Sequence, residues 1–189
     1  MAFRKIHILF LLTFTILAVL PGCNPKVVHF VNSRSDFGSY SSYDVVNFKA
    51  SNTELSAEGE QIFRNIEKNI GEELKLRGYT KQHSNPNLIA RYELISNQRT
   101  EVNRNVNPYS FPTYGNYSTS RTFLESALLI EIYDTTTRKL VWQASVDLNK
   151  YAKRNNKEEI LKDAVTQLFN TYLYRANSKT PDESLIVEQ

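Results

Sequence analysis

The chain has 189 residues, a formal net charge of +3 at pH 7 and a single cysteine. One cysteine excludes a disulfide within the chain, and the length suits a single domain with a sizeable hydrophobic core. The charge is close to neutral and no basic cluster is interleaved with aromatic residues, which argues against nucleic acid as a partner.

The N-terminal residues have the organisation of a secretory signal. Arg4 and Lys5 form a short basic stretch, and residues 8–20 carry no charge. This apolar run is shorter than the ~20 residues that a membrane-spanning helix needs, and Pro21 would break a helix interior. The pattern therefore predicts a signal peptide over residues 1–22 that is removed from the mature chain. Its removal takes away two of the 23 basic side chains and none of the 20 acidic ones, which leaves a net charge of about +1.

The segment Leu20-Pro21-Gly22-Cys23 resembles the cleavage box of bacterial lipoproteins. The resemblance implies a diacylglycerol thioether on Cys23, cleavage before it and acylation of the new amino group, so that the thiolate becomes a lipid anchor. Asn24 follows, which by the rule of enteric bacteria implies the outer membrane. We therefore expect a protein that is lipid-anchored in the outer membrane of the cell envelope and faces the periplasm. The alternative is an ordinary secreted protein in which the cysteine is incidental.

The mature chain begins with two predicted strands and a helix. Residues 25–31 and 44–50 contain many β-forming side chains, and the polar residues between them predict a loop. Ser56 predicts the N-cap of the helix, and Gly78 predicts its end, because glycine readily adopts the left-handed conformation that follows many helices. The helix would bury a stripe with a spacing of four residues, formed by Ile62, Ile66, Ile70 and Leu74.

The middle of the chain contains a predicted strand and a long loop. Alternating side chains over residues 88–95 predict the strand, and residues 103–120 predict the loop because they are rich in Asn, Tyr, Pro and Ser. Loops of this length usually carry function or are disordered, and exposed aromatic residues in them can contact a partner. The alternative is a floppy loop in which the tyrosines are incidental. The candidate contact residues are Tyr109, Phe111, Tyr114 and Tyr117.

The C-terminal half predicts a hairpin, a second helix and a tail. Residues 127–148 alternate on both sides of a turn that starts at Asp134, and Trp142 lies on the apolar face, where it is expected in the core. Asn156 predicts the N-cap of the second helix. Residues 178–189 predict a mobile C-terminal tail.

Four stretches of the chain resemble an uncharacterised family of bacterial lipoproteins that is catalogued only as a domain of unknown function, number forty-one thirty-six. The stretches are "SDFGSYSSYDVVNF", "EELKLRGY", "NPNLIARYEL" and "LLIEIYDTTTRKLVWQAS", and the likeness spans residues 27–173. The last stretch, an apolar strand followed by an Asp-led turn and a Leu-Val-Trp strand, is the most specific. The resemblance implies a location and a fold but no reaction. Separately, Asp134-Thr135-Thr136 resembles an acceptor motif for O-glycosylation in some bacteria.

No constellation of catalytic residues is recognisable in the sequence. After cleavage only His29 and His83 remain as histidines, and a zinc site needs three or four ligands. The nucleophile elbow, the P-loop and the H-E-x-x-H motif are all missing. Glu131 and Asp134 are close in sequence, but we interpret them as a solvent-facing strand residue and a turn residue rather than as an acid and base pair. We therefore expect no enzymatic activity, no cofactor and no metal.

These patterns predict one α+β domain over residues 23–177, with a largely antiparallel sheet of four or five strands and two helices packed on one face. The favoured function is a non-enzymatic envelope lipoprotein, an interaction or accessory module that binds an envelope protein through the sheet edge or the tyrosine-rich loop. The alternative is a carrier of a lipid or other apolar ligand between sheet and helices. A cavity lined by Phe63, Ile66 and Trp142 would favour the carrier, and a packed core would favour the interaction module.

Overall fold

A computed structural model describes residues 26–47, 56–104, 118–151 and 154–187. Three short 3-10 helices lie at Phe37–Ser39, Leu148–Tyr151 and Glu183–Leu185. The strands and α-helices, in chain order, are β1 (Val27–Val31), β2 (Ser42–Asn47), α1 (Ala57–Leu76), β3 (Thr80–Lys81), β4 (Leu88–Arg104), β5 (Ser118–Asp134), β6 (Leu140–Asp147) and α2 (Lys157–Phe169).

The strands form one mixed sheet in the order β1-β6-β5-β4-β2-β3. Neighbours from β1 to β4 are antiparallel, whereas β2 pairs in parallel with both β4 and β3. The prediction of an α+β fold with two helices is confirmed, but the described sheet has six strands and not four or five, and it is mixed where a largely antiparallel sheet was predicted. The parallel pairs arise because α1 lies between β2 and β4 in the chain and acts as a crossover. Strand β3 has two residues, too few to produce an alternating pattern.

Both helices begin directly after the capping residues that the sequence predicts, and α1 ends just before the predicted glycine. The Ser56 hydroxyl accepts a hydrogen bond from the Gly59 N–H at 3.2 Å, and the Asn156 side chain accepts from two N–H groups at the start of α2. Gly78 has a φ of 84°, and its N–H and that of Tyr79 donate back to carbonyl oxygens in the last turn of α1. In the part of the chain that the structure describes, no helix is long and apolar enough to cross a membrane.

One face of the sheet is buried and forms one side of the hydrophobic core. Its side chains contact both helices: the Tyr92 hydroxyl donates to the Glu67 carboxylate on α1 at 2.7 Å, and the Trp142 ring lies 5.3 Å from the Phe169 ring of α2. Trp142 is fully buried, as the sequence predicts. The strand residues of this buried face are Leu88, Ala90, Tyr92, Leu128, Ile130, Ile132, Trp142, Ala144 and Val146.

The C-terminal residues 178–187, which we expected to form a mobile tail, contact the body of the domain. A β-bridge joins Tyr174 to Pro181, and Asp182 forms an ion pair with Arg175 at 2.5 Å. Leu185 is 9% exposed, whereas the next two residues, Ile186 and Val187, are exposed. The described part of the tail therefore makes one apolar contact and several polar contacts with the domain, and its mobility stays a prediction.

Candidate functional site

The residues that the sequence singled out as sites lie outside the described residues. Cys23 precedes the first described residue, Lys26, and the four aromatic candidates, Tyr109, Phe111, Tyr114 and Tyr117, lie between β4 and β5. The structure shows that the predicted loop is shorter than the sequence indicates. Strand β4 continues to Arg104 and β5 starts at Ser118, so both ends of the predicted loop over residues 103–120 are strand.

Strands β4 and β5 form a hairpin that is much longer than the rest of the sheet. Their pairing runs from Leu88↔Asp134 to Arg104↔Ser118 without a break. Strand β2 pairs with β4 only as far as Tyr92, and β6 pairs with β5 only as far as Ala127. From Ser96↔Ser126 onwards, the hairpin has no third strand among the described residues, and we call this two-stranded part the arm. It is ~30 Å long at ~3.4 Å per residue.

The face of the sheet opposite the buried face is partly exposed, and we call it the open face. One row of paired residues crosses five strands on this face: Val46, Arg91, Glu131, Gln143 and Phe30. Val28, Phe30 and Val46 are exposed by 63%, 51% and 43%.

The centre of the open face carries paired charges. The Arg91 guanidinium carbon lies 5.3 Å from the centroid of the Tyr133 ring, and burial together with the nearby Glu131 carboxylate raises the pKa of Tyr133. A small cavity of about 150 Å³ lies beside Arg91, Glu93 and Glu131. It is too small for a drug-sized ligand, which needs ~300 Å³ or more.

A larger cleft of about 510 Å³ lies between the starts of α1 and α2. Its polar side chains bind each other: Lys157 forms an ion pair with Glu58 at 2.5 Å, and the Gln61 amide donates to Glu158 at 3.2 Å. The hydrogen bond from Lys157 lowers the pKa of Glu58. These contacts connect the two helices and leave the cleft without a set of convergent groups for a ligand.

Asp134 is part of a turn and has the structural role that we expected. Its carboxylate accepts hydrogen bonds from two backbone N–H groups of the turn and from the Tyr40 hydroxyl at 2.9 Å. Burial acts to raise the pKa of Asp134, but these hydrogen bonds bring it below its usual value. The neighbouring Thr135 hydroxyl donates to the Pro86 carbonyl oxygen at 2.6 Å, so it is engaged within the fold.

A buried ion pair, which the sequence patterns above did not predict, lies where α1 and α2 end. The Arg77 guanidinium, which is 2% exposed, contacts the Glu73 carboxylate at 2.6 Å. It also donates to the carbonyl oxygens of Phe169 at 2.7 Å and Tyr172 at 2.9 Å. Burial lowers the pKa of Arg77, and the facing carboxylate opposes this effect. Because every contact lies within the fold, the pair is a connection between helix ends.

Within the described residues, no three side chains of His, Cys, Asp or Glu come together in a way that could hold a metal ion. His83 is 78% exposed and lies 3.1 Å from the Asp44 carboxylate on the open side of β2. His29 lies on the edge strand β1 and is also exposed. His29 and His83 therefore lie at opposite edges of the sheet.

A comparison with protein families gives one match over most of the chain. The family described as Domain of unknown function (DUF4136) matches residues 27–172. This chain belongs to that family. The match starts at the first residue of β1 and ends just beyond α2, so the DUF4136 domain includes the sheet, the hairpin with its arm and both helices.

Solved structures resemble the fold of this DUF4136 chain at low sequence identity. A PDZ domain protein from Parabacteroides distasonis ATCC 8503 aligns with a TM-score of 0.53 and 14% identity over 79% of this chain. The chain spans 36% of that protein's length, and the likeness shows the fold alone. Two structures of the PelC dodecamer from Paraburkholderia phytofirmans also align, both at 11% identity. The first has a TM-score of 0.44 and covers 88% of this chain and 100% of its own. The second has a TM-score of 0.46 and covers 81% of this chain and 99% of its own. No curated protein matches the chain.

The candidate contact surfaces of the DUF4136 chain are the two-stranded arm and the open face. The sequence carried a weak signal for each. Residues 99–104 and 118–124 include β-forming Thr, Val and Phe side chains at the ends of the predicted loop, and Val28 and Phe30 alternate with Val27 and Val31 in β1.

Proposed function

We propose that this DUF4136 protein is a non-enzymatic lipoprotein of the cell envelope, anchored by lipid on Cys23, and that it binds another envelope protein through the arm. The signal sequence and the cleavage box before Cys23 support the anchor. The arm is the observation that carries the proposed binding function. The outer membrane, with the domain facing the periplasm, is the proposed location.

The two-stranded arm is expected to need a further contact for its stability. A two-stranded ribbon in water is at best marginally stable, and it becomes stable when a further strand or surface packs against it. The outer edges of the arm beyond Tyr92 on β4 and Ala127 on β5 have no third strand among the described residues. Such edges are ready to pair with an extended segment of another protein.

The residues between the two arm strands add an argument from composition. Residues 105–117 include Tyr109, Phe111, Tyr114 and Tyr117. Aromatic side chains are enriched at interfaces and carry much of the binding energy there. An arm that ends in an aromatic-rich segment has the composition of a contact element.

The packing of the core supports this proposal over the carrier alternative. Ile66 and Trp142 are fully buried, and the Trp142 indole N–H donates to the Thr171 hydroxyl at 3.1 Å. Neither of the two cavities described above is lined by these residues or by Phe63. A carrier of an apolar ligand needs space at this position, between the sheet and the helices.

Shortening the arm tests the proposed binding function. Residues 97–125 are replaced by Asn-Gly, which joins Ser96 to Ser126 in a two-residue hairpin. Because the removed strands pair only with each other among the described residues, the body should fold with an almost unchanged thermal midpoint. Cross-linking in intact cells, followed by mass spectrometry, should then lose the partner of the native protein.

A matched control is the Val46→Ser variant, which changes an exposed residue of the body and leaves the arm intact. It should keep the cross-links of the native protein. Unchanged cross-links in a folded arm-shortened variant would contradict the proposal and move the contact to the body of the domain.

A further inference from the structure

The start of β1 lies close to the proposed lipid anchor. Strand β1 is an edge strand, and its first residue, Val27, comes four positions after Cys23. An extended chain covers at most ~3.6 Å per residue, so this connection reaches ~14 Å. A lipid on Cys23 would therefore hold the start of β1 within ~14 Å of the membrane surface.

The anchor and the arm leave the same end of the sheet. Val27 pairs with Val146, and this row continues through Leu128 to Leu94, just before the arm begins. From Leu128 the body continues in the opposite direction to Asp134, a distance of ~20 Å at ~3.4 Å per residue. This exceeds the ~14 Å reach of the connection. An arm that pointed straight away from the membrane would require the connection to pass the whole body, so the arm is directed along or towards the membrane.

The β1 strand exposes two apolar side chains on the open face, close to the anchor. Val28 and Phe30 are exposed by 63% and 51% and are next to each other on this face of β1. Their partners on β6 are Ser145 and Gln143, which are uncharged. The paired charges of the open face lie on β4 and β5, farther from the edge.

Charged residues border this part of the open face. Lys26 precedes β1, Arg34 follows it, and both are exposed. Asp147 at the end of β6 is also exposed, and its carboxylate accepts a hydrogen bond from the Asn149 N–H. Two basic residues beside an apolar pair suit a surface that has anionic headgroups above hydrocarbon.

We propose that the β1 edge of the open face docks on the lipid surface of the membrane that holds the anchor, with Val28 and Phe30 in the boundary between headgroups and acyl chains. This inference rests on the proposed lipid on Cys23. Docking adds a second membrane contact to the anchor and fixes the orientation of the domain. The open face is directed to the membrane, the helices lie on the far side, and the arm runs along the leaflet.

Quenching of a tryptophan by brominated lipids tests the docking. The Phe30→Trp variant is purified as the lipoprotein and placed in phosphatidylethanolamine and phosphatidylglycerol vesicles with brominated acyl chains. The native Trp142 is buried and serves as an unquenched reference. The new tryptophan should show a blue-shifted emission and lose fluorescence relative to vesicles without bromine.

The control is Leu76→Trp, at a residue that is 67% exposed at the end of α1. It should keep its fluorescence, because α1 contacts the buried face of the sheet and lies away from the membrane in the docked orientation. Equal fluorescence of the Phe30→Trp variant with and without bromine would overturn the docking. Equal quenching of both variants would also overturn it, since it would show lipid contact without a preferred face.

The test separates a failure of the anchor from a failure of the docking. The intact mass of the purified protein shows directly whether Cys23 carries lipid. If it does not, the chain from Cys23 onwards is coupled through its single thiol to a maleimide lipid in the same vesicles, and the same two variants are measured. A missing lipid mass contradicts the proposed anchor, whereas an unquenched Phe30→Trp variant on a coupled chain contradicts the docking.

Discussion

The Glu73→Gln variant should lose a measurable part of its free energy of unfolding, because it removes the charge that faces the buried Arg77 and keeps the side-chain shape. A buried charge that loses its only partner costs ~3–5 kcal/mol. Here the guanidinium keeps the carbonyl oxygens of Phe169 and Tyr172 at the C-terminal end of α2, where the helix dipole favours a cation. The cost should therefore be that of one hydrogen bond to a charged group, ~1.5–3 kcal/mol.

Urea unfolding followed by the fluorescence of the single tryptophan, Trp142, measures this loss. With a denaturant slope of ~2 kcal/mol per M, the midpoint should fall by ~1 M. The control is Glu72→Gln, the same change one residue earlier, where the carboxylate is 53% exposed and 3.9 Å from Lys68. That variant should change stability by less than ~0.5 kcal/mol. If both variants unfold at the same midpoint, the reasoning about the buried pair is refuted.

Three further predictions concern the core, the pH response and the anchor. Trp142→Ala should cost ~3–5 kcal/mol because the indole is fully buried, and a denaturant midpoint by circular dichroism that barely moves would contradict this. Burial raises the pKa of Tyr151 to about 12, so its stabilising contribution is present below pH ~10 and is lost as the pH rises towards 12. The Tyr151→Phe variant should therefore lose stability less steeply over this range than the native protein, and parallel midpoints would count against it. Cys23→Ser should block diacylglyceryl transfer and signal cleavage by the lipoprotein route, whereas a product of mature size that stays with carbonate-washed membranes would exclude the anchor.

Short-range signals made the helices predictable. Ser56 and Asn156 are caps because their side chains reach N–H groups two or three residues away, and Gly78 ends α1 because of its own backbone conformation. The hairpin of β5 and β6 is equally local, with a turn held by Asp134. Each of these features depends on residues that are close in sequence, so a pattern over a few positions is enough.

Features that depend on distant residues were beyond the sequence patterns. Strand β2 lies beside β4 through a crossover, and no local pattern distinguishes this from an antiparallel neighbour.

The ion pair of Glu73 and Arg77, in contrast, could have been predicted from the sequence, because both positions continue the buried stripe of Ile66 and Ile70 at helical spacing. Charged residues on an apolar stripe indicate a buried pair, and this signal was overlooked.

The amino-acid composition of residues 96–126 does not predict how far the strands of the arm extend. Polar residues such as Asn103 and Arg104 in β4 resemble a loop, yet they pair with Thr119 and Ser118 of β5. Residues 96–104 are nearly all polar, so the sequence lacks the alternation of apolar and polar side chains that identifies a half-buried strand. The sequence therefore predicted a loop where the hairpin continues.

Site-specific photo-cross-linking in intact cells tests the central claim, binding through the arm, most directly. A photoreactive amino acid is placed at Thr100 in the arm, and a control probe is placed at Lys68 on α1, whose side chain is 71% exposed. Binding through the arm predicts one dominant cross-linked envelope protein from the Thr100 probe and no such product from the Lys68 probe. A folded protein whose Thr100 probe gives no cross-link, or gives the same products as the Lys68 probe, would contradict it.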